Sequence, residues 1–114
     1  MKKKLVSTIL AATAVGSMLV TGVSAEEAKT DNIGICQLVQ HVALDAATEG
    51  FKDALTDKFG DAVNFDEQNA QGDSNTCSTI INGFVSNGVD LILANATPAL
   101  QAAQAGTAEI PILG

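Results

Sequence analysis

Aromatic side chains and cations are scarce in this 114-residue sequence, which has four Phe and no Trp or Tyr. Apart from three lysines at positions 2–4, its cations are Lys29, Lys52 and Lys58, against 13 acidic residues. An acidic chain of this kind repels nucleic acid and anionic lipid, so no nucleic-acid partner is expected. Because the acids are dispersed rather than clustered, solubility explains them better than an acidic tail does.

Groups that bind metals or cofactors are equally few. One histidine, His41, and two distant cysteines, Cys36 and Cys77, are too few ligands for a metal site. Neither G-x-G-x-x-G nor a Walker sequence is present, which argues against a nucleotide cofactor. A phospho-acceptor receiver domain would carry acids where this chain has Gln37 and Asn95. We therefore expect no cofactor.

The N-terminus has the features of a secretory signal. Three lysines precede an apolar stretch at residues 5–20, and the small residues 23–25 predict cleavage between Ala25 and Glu26. A retained membrane anchor is the alternative, but the stretch is shorter than the roughly 20 residues of a spanning helix. Val23 stands where a lipoprotein would carry its lipid-modified cysteine. We expect export to the periplasm or the outer face of the cell membrane.

Cleavage at that site would leave residues 26–114, in which apolar and amphipathic segments alternate. Residues 26–31 form a polar lead-in, and order is expected from Asn32. Strands are predicted at residues 33–36, 62–65, 89–94 and 110–113, with helices between them that end at Gly60, Gly88 and Gly106. Thr97 is predicted to cap the third helix, ahead of proline at its first position.

Each connection is too long for a hairpin, so a parallel sheet between helical layers is predicted. The fold class is therefore a doubly wound α/β fold, with an open parallel sheet. Ending at the fourth strand would leave an unpaired edge without a covering helix. We expect the chain to be a fragment or a truncated product, incomplete at its C-terminus.

In open parallel sheets, ligands bind beyond the carboxyl ends of the strands. Three predicted loops occupy that edge, at residues 37–41, 66–73 and 95–98, and they are rich in amides and hydroxyls. Capping of helices explains Asp73, Ser74 and Thr97 at least as well as ligand contact does. The backbone amides that open the helices at Ser74 and Thr97 would nevertheless favour an anionic group such as an amino-acid carboxylate.

Gly72-Asp73-Ser74 also resembles the nucleophile block of an esterase family. A nucleophilic serine needs a base. The only histidine, His41, lies upstream of Ser74, whereas that family places its catalytic histidine late in the sequence. We therefore favour a capping role over catalysis and expect a protein that is not an enzyme.

Three segments, in order, resemble the substrate-binding proteins of ABC transporters, and the resemblance is strongest to the tryptophan/tyrosine type. They are residues 33–45, residues 71–81 and residues 90–101, and the resemblance extends over residues 32–114. It implies a type I periplasmic-binding-protein fold, with two lobes that close on a solute and present it to a membrane permease. Members are around three times as long, so residues 32–114 would be part of the N-terminal lobe.

The same resemblance implies an amino-acid transport function, with an aromatic amino acid favoured as the solute. The ligand-binding candidates are Gln37, Gln40, His41, Asn95, Ala96 and Thr97. Hydrogen bonding at the rim is the alternative role of His41. Since Trp and Tyr are absent, aromatic stacking on the ligand would come from the second lobe. A sugar or nucleoside receptor of the same fold is the alternative, because fold does not determine ligand.

Export would also permit a disulfide between Cys36 and Cys77. Closing that loop would contribute roughly 4 kcal/mol in the chain-entropy model. The alternative is two buried, unpaired thiols.

Overall fold

The structure, a computed structural model, describes residues 29–114. The predicted signal peptide and residues 26–28 of the lead-in lie outside the described residues. The strands are β1 (Asp31–Gln37), β2 (Val63–Asn69), β3 (Leu91–Asn95) and β4 (Ile112–Leu113). The helices are α1 (Val42–Phe59), α2 (Ser74–Asn87) and α3 (Thr97–Gly106), and a short 3-10 helix spans Gly60–Ala62. The predicted alternation of strand and helix is confirmed.

The four strands form one parallel sheet in the order β2-β1-β3-β4. The chain first moves from β1 to β2 on one side and then crosses to β3 and β4 on the other. This reversal at β1 confirms the doubly wound α/β fold. At the carboxyl ends, Gln37 of β1 is in register with Asn69 of β2 and with Asn95 of β3.

Alternate residues of the central strands face opposite helical layers, as the two-residue period of a strand requires. On one face, Ile33, Ile35 and Leu93 pack with the α1 residues Phe51 and Leu55. On the other face, strand residues pack with α2 and α3; this cluster includes Cys36, Cys77, Ile81, Phe84, Ile92, Ala94, Ala99 and Ala103. The sheet is therefore buried on both sides, which explains its nearly continuous apolar strands.

Close packing of α2 on β1 depends on a missing side chain. A Cβ at Gly34 would lie 2.6 Å from Cγ and Cδ2 of Phe84, well inside van der Waals contact. Phe84 is only 2% exposed, so its ring has little room to move aside. Gly34 therefore provides the space that the Phe84 ring occupies.

The ends of α1 and α2 are capped by side chains and glycines. His41 Nδ1 accepts a hydrogen bond from Ala43 N at 3.1 Å, and Asp73 Oδ1 accepts one from Asn75 N at 2.8 Å. Gly60 and Gly88 follow the two helices with φ of 58° and 69°, which glycine adopts without strain. The glycine ends and the Asp73 cap are confirmed, and His41 has the role of a hydrogen-bonded rim residue.

Several predicted boundaries were wrong; β3, for example, spans Leu91–Asn95 rather than residues 89–94. β2 continues through residues 66–69, which were predicted as loop, because pairing with β1 extends to Asn69 and an edge strand tolerates polar residues. The cap of α3 is Ala96, not Thr97; its φ of 102° turns the chain one residue earlier, and Thr97 begins the helix. The last strand begins after Pro111, because Thr107 Oγ1 accepts hydrogen bonds from two backbone amides in the preceding turn.

Among residues 29–114, none of the helices has both the length and the apolar character that crossing a membrane requires.

Candidate functional site

The loops after β1, β2 and β3 are joined by backbone hydrogen bonds at one edge of the sheet. Leu38 N donates to Asn95 O at 3.1 Å, and Ala70 N donates to Gln37 O at 2.9 Å. Gly72 N then donates to Leu38 O at 2.7 Å. The geometry expected at the carboxyl ends of the strands is therefore present, although residues 66–69 belong to β2 itself.

A cleft of about 430 Å³ opens at this edge, between α1 and β2. Its lining is polar and consists of Gln37, Gln40, Asp45, Glu49, Glu67, Gln68 and Asn69. Lys52 Nζ lies 2.8 Å from Glu67 Oε1 and 3.6 Å from a carboxylate oxygen of Glu49. The hydrogen bond to Glu67 raises the pKa of Lys52. Three carboxylates and one ammonium leave this cleft with a net negative charge.

Gln37 and Asn95 meet inside the protein, beneath α1. Thr48 Oγ1 donates to Gln37 Oε1 at 2.7 Å and accepts from Asn95 Nδ2 at 2.9 Å. Gln37 Nε2 also donates to Asp45 Oδ1 at 2.7 Å and to Val39 O at 2.8 Å. Gln37 is only 3% exposed, and both of its amide hydrogens are occupied. As a ligand contact it stays a prediction; in the structure it joins β1 to α1.

Thr48 was not predicted from the sequence as part of this site. The two-residue period of the strands could have indicated it. Gln37 and Asn95 each lie two residues after Ile35 and Leu93, so their side chains are on the same face of the sheet, toward α1. A small polar residue one turn before Phe51 on the inward face of α1 is where buried amides would find a partner. Thr48 is 1% exposed, which confirms that it faces inward.

The other predicted contacts lie closer to solvent. Gln40, His41 and Thr97 are exposed, and Ala96 is half-buried. Of the three exposed residues, Gln40 lines the cleft described above. Their roles as ligand contacts stay predictions.

The start of α3 differs from those of the other helices at this edge. Its cap residue, Ala96, makes no side-chain hydrogen bond to the helix, and Pro98 lies in the first turn. The backbone N–H groups of Thr97 and Ala99 therefore receive no side-chain hydrogen bond from Ala96; Thr97 is exposed, whereas Ala99 is fully buried. Uncapped N–H groups at a helix start carry a partial positive charge that favours an anion.

Cys36 and Cys77 lie side by side in the core on the opposite face of the sheet. Both are free and fully buried. Burial raises the pKa of the Cys36 thiol to about 12, with smaller contributions from the charge of Cys77 and from a hydrogen bond to it. Protonated thiols are unreactive. The closeness of the two side chains is compatible both with a disulfide and with two unpaired thiols, so the disulfide stays a prediction.

Within the described part of the chain, no cluster of three or more His, Cys, Asp or Glu side chains could hold a metal ion.

Comparison with known proteins identifies the family. The family model described as ABC transporter substrate binding protein matches residues 32–114. The chain belongs to that family. The predicted resemblance to ABC transporter substrate-binding proteins is thus confirmed.

Among relatives of this chain, the tyrosine-binding protein of Clostridioides difficile (strain R20291) is 44% identical. The match covers 97% of this chain and 36% of that protein. A ligand-free, open structure of a substrate-binding protein with adhesive properties from Clostridium difficile has a TM-score of 0.71 and 47% identity. It covers 74% of this chain and 30% of that one.

A structure from Streptococcus pneumonia, described as an ABC domain in complex with L-Trp, has a TM-score of 0.70 and 34% identity. It covers 74% of this chain and 29% of the other. This chain therefore spans about a third of the length of these proteins. The relatives are binding proteins rather than enzymes, in agreement with a non-catalytic role and with the Ser74 hydroxyl lying at a helix start.

Proposed function

We propose that this chain supplies one lobe of an extracytoplasmic receptor that binds an aromatic amino acid for an ABC import system. The observation that carries the proposal is the uncapped start of α3 beside the loop after β1, in a chain 44% identical to a tyrosine-binding protein. The relative crystallised with L-Trp supports the same class of ligand.

The charges at the edge of the sheet match a zwitterion. The first N–H groups of α3 attract a carboxylate, since anions are stabilised at helix N-termini. The cleft between α1 and β2 has carboxylates from Asp45, Glu49 and Glu67 with one compensating lysine, so it favours a cationic group. An amino acid carries both groups, whereas a neutral sugar uses neither charge.

The aromatic part of the ligand would be bound by a second lobe. The four phenylalanines of this chain are Phe51, Phe59, Phe65 and Phe84. Phe51 and Phe65 pack edge to face beneath α1, Phe84 is buried against Gly34, and Phe59 ends α1. None of them lines the cleft at the carboxyl ends of the strands, so ring stacking would have to come from the second lobe.

Isothermal titration calorimetry on the complete gene product tests the ligand class. We expect L-tyrosine or L-tryptophan to bind at micromolar concentration or below, and L-alanine, which keeps the zwitterion but lacks the ring, to bind far more weakly. D-ribose and D-fructose serve as the sugar arm. Tight sugar binding without binding of either aromatic amino acid would establish the sugar-receptor alternative.

Export and permease binding belong to the same proposal. In the native host, the mature protein should begin at Glu26, which N-terminal sequencing of the extracytoplasmic fraction would determine. Replacing Ala25 by a bulky residue should block that cleavage, since signal peptidase requires small side chains there. For import, uptake of labelled tyrosine should fall when the gene is deleted and recover when it is restored.

A further inference from the structure

We infer that Thr48, which has no access to the ligand, is a positioning residue that fixes the orientation of the Asn95 side-chain amide at the binding edge. The inference rests on the proposed function. It concerns how the receptor distinguishes an amino acid from the same molecule without its amino group.

The fold places Thr48 between the ends of the two central strands. Gln37 and Asn95 are cross-strand partners, and both side chains lie on the α1 face of the sheet. Thr48 is 1% exposed and its hydroxyl contacts both amides. A single hydroxyl therefore joins the last residues of β1 and β3 to α1.

The hydrogen bonds of Gln37, Thr48 and Asn95 form a network, and the acceptors that flank this network determine the direction of each bond. Val39 O and the Asp45 carboxylate can only accept, so they take both hydrogens of Gln37 Nε2. Gln37 Oε1 is then the acceptor that faces Thr48, and it receives the only hydrogen of the hydroxyl.

The hydroxyl oxygen of Thr48 is consequently left as an acceptor for Asn95. Asn95 Nδ2 donates one hydrogen to Thr48 Oγ1 and the other to Leu44 O, each at 2.9 Å. With both amide hydrogens used, Asn95 offers only its oxygen to a ligand. Across residues 29–114, no protein group donates to this Oδ1 atom.

Asn95 is half-buried at the carboxyl end of β3, between the loop after β1 and the start of α3. Its backbone oxygen accepts a hydrogen bond from Leu38 N in the loop after β1, and the next residue, Ala96, caps α3. An oxygen held in this orientation accepts a hydrogen bond from a donor on the ligand. At the α-carbon of an amino acid, that donor is the α-ammonium group, since the carboxylate only accepts. Without the Thr48 hydroxyl, the Asn95 amide could rotate and present hydrogens to the ligand instead.

Two variants of the complete gene product test the inference: Thr48→Val keeps the shape but removes the hydroxyl, and Thr48→Ser keeps the hydroxyl but removes a buried methyl. The probes are L-tyrosine and 3-(4-hydroxyphenyl)propionate, which lacks the amino group. In Thr48→Val, we expect affinity for L-tyrosine to fall about tenfold or more, since unpaired buried groups carry costs of that order. Affinity for the deaminated probe should change much less.

Thr48→Ser should keep the wild-type ratio of the two affinities even though its melting temperature falls. A purely structural role would reduce both affinities together and in proportion to the loss of thermal stability in each variant. That result, or an unchanged ratio in Thr48→Val, would overturn the inference. If the wild-type protein binds neither L-tyrosine nor L-tryptophan, the proposed function itself fails, and the inference fails with it.

Discussion

At the scale of single residues, the contact between Gly34 and Phe84 determines how closely α2 approaches the sheet. We expect Gly34→Ala to lower the free energy of unfolding by about 1–3 kcal/mol, because overpacking displaces side chains or backbone. A Cβ there would lie 2.6 Å from the ring of a residue that is itself buried. Urea denaturation followed by circular dichroism measures the change.

Gly83→Ala is the matched control for this variant. It adds the same methyl group within α2, where nothing lies within 4 Å of the new Cβ. Alanine is the better helix former, so this variant should be neutral or more stable by up to about 1 kcal/mol. Equal stability of the Gly34 and Gly83 variants would show that the Phe84 contact is not restrictive.

The buried Cys36 thiol predicts a loss of stability in alkaline solution. Its pKa is about 12 in the folded protein, compared with 9.0 for an unperturbed thiol, so folding favours the protonated form. This stabilisation is complete below pH 9 and is lost as the pH rises toward 12. With reductant present, the free energy of unfolding should decrease above pH 9, by at most about 1.4 kcal/mol per pH unit.

In Cys36→Ala, the decline between pH 9 and pH 10 should be much smaller. The raised pKa of Lys52 acts only above its ordinary value of 10.5, outside this interval. An identical decline in the wild-type protein and the variant would exclude Cys36 as its cause.

We predict that Cys36 and Cys77 form a disulfide in the exported protein. Their sulfurs would join, with two protons and two electrons passing to a disulfide oxidant such as oxidised glutathione. If the protein is denatured in the presence of iodoacetamide, its cysteines should then gain no label unless the protein is first reduced. Two labels on unreduced protein from the extracytoplasmic fraction would instead favour the alternative of two buried thiols.

Chemistry at individual positions was harder to predict from the sequence than packing was. The strand that contains Cys36 was predicted from its run of apolar residues alone, and the predicted alternation of strands and helices is the observed one. The partners of Gln37 and Asn95 were not predictable in the same way, because the Thr48 hydroxyl meets them only after α1 docks on the sheet. A pattern along the chain gives the direction of a side chain, not its hydrogen-bond partner.

At the scale of elements, Asp73 caps α2 and offers a direct test of the capping interpretation. Asp73→Ala should lower the free energy of unfolding by about 1 kcal/mol, since it removes the acceptor for the Asn75 amide. Ser74→Ala, the adjacent control at the first helical position, should change it by less than about 0.5 kcal/mol. A larger effect at Ser74 than at Asp73 would mean that the cap was assigned to the wrong residue.

The boundaries of the elements were predicted well where glycine or a capping side chain marks them. Gly60 and Gly88 end their helices as expected, because glycine adopts the positive φ of these positions without strain. The C-terminal limit of β2 and the N-terminal limit of α3 were predicted wrongly, because no residue type marks them. Residues 66–69 are polar and extended only through pairing with β1, and Ala96 adopts a φ of 102° that its side chain does not favour.

At the scale of the whole molecule, the alternation of strands and helices was sufficient to predict the parallel sheet. The carboxyl ends of parallel strands share one edge, so the positions of three loops followed from the fold class alone. The size and charge of the cleft did not follow, because they depend on how α1 lies against β2. Long-range placement of Lys52 beside Glu67 has no signature in the local sequence.

The charge of residues 26–114, the product of the predicted cleavage, leads to a prediction about salt. Residues 26–114 carry three lysines and 13 acidic residues, and 3 minus 13 gives a net charge of −10. Mutual repulsion among these acids destabilises the compact state, and salt screens it over a Debye length of about 10 Å at 0.1 M. The ion pairs seen in residues 29–114 all involve Lys29 or Lys52 at the surface, where screening costs little.

Raising NaCl from about 10 mM to about 300 mM should therefore increase the melting temperature of residues 26–114. Most of the increase should occur below about 100 mM, because the Debye length shortens most in that range. Sucrose of equal osmolality separates screening from preferential exclusion, because it stabilises without the early plateau. KCl should reproduce the NaCl curve, since screening depends on ionic strength rather than on the identity of the cation. A melting temperature that falls on addition of either salt would mean that the surface ion pairs outweigh the repulsion of the acidic surface.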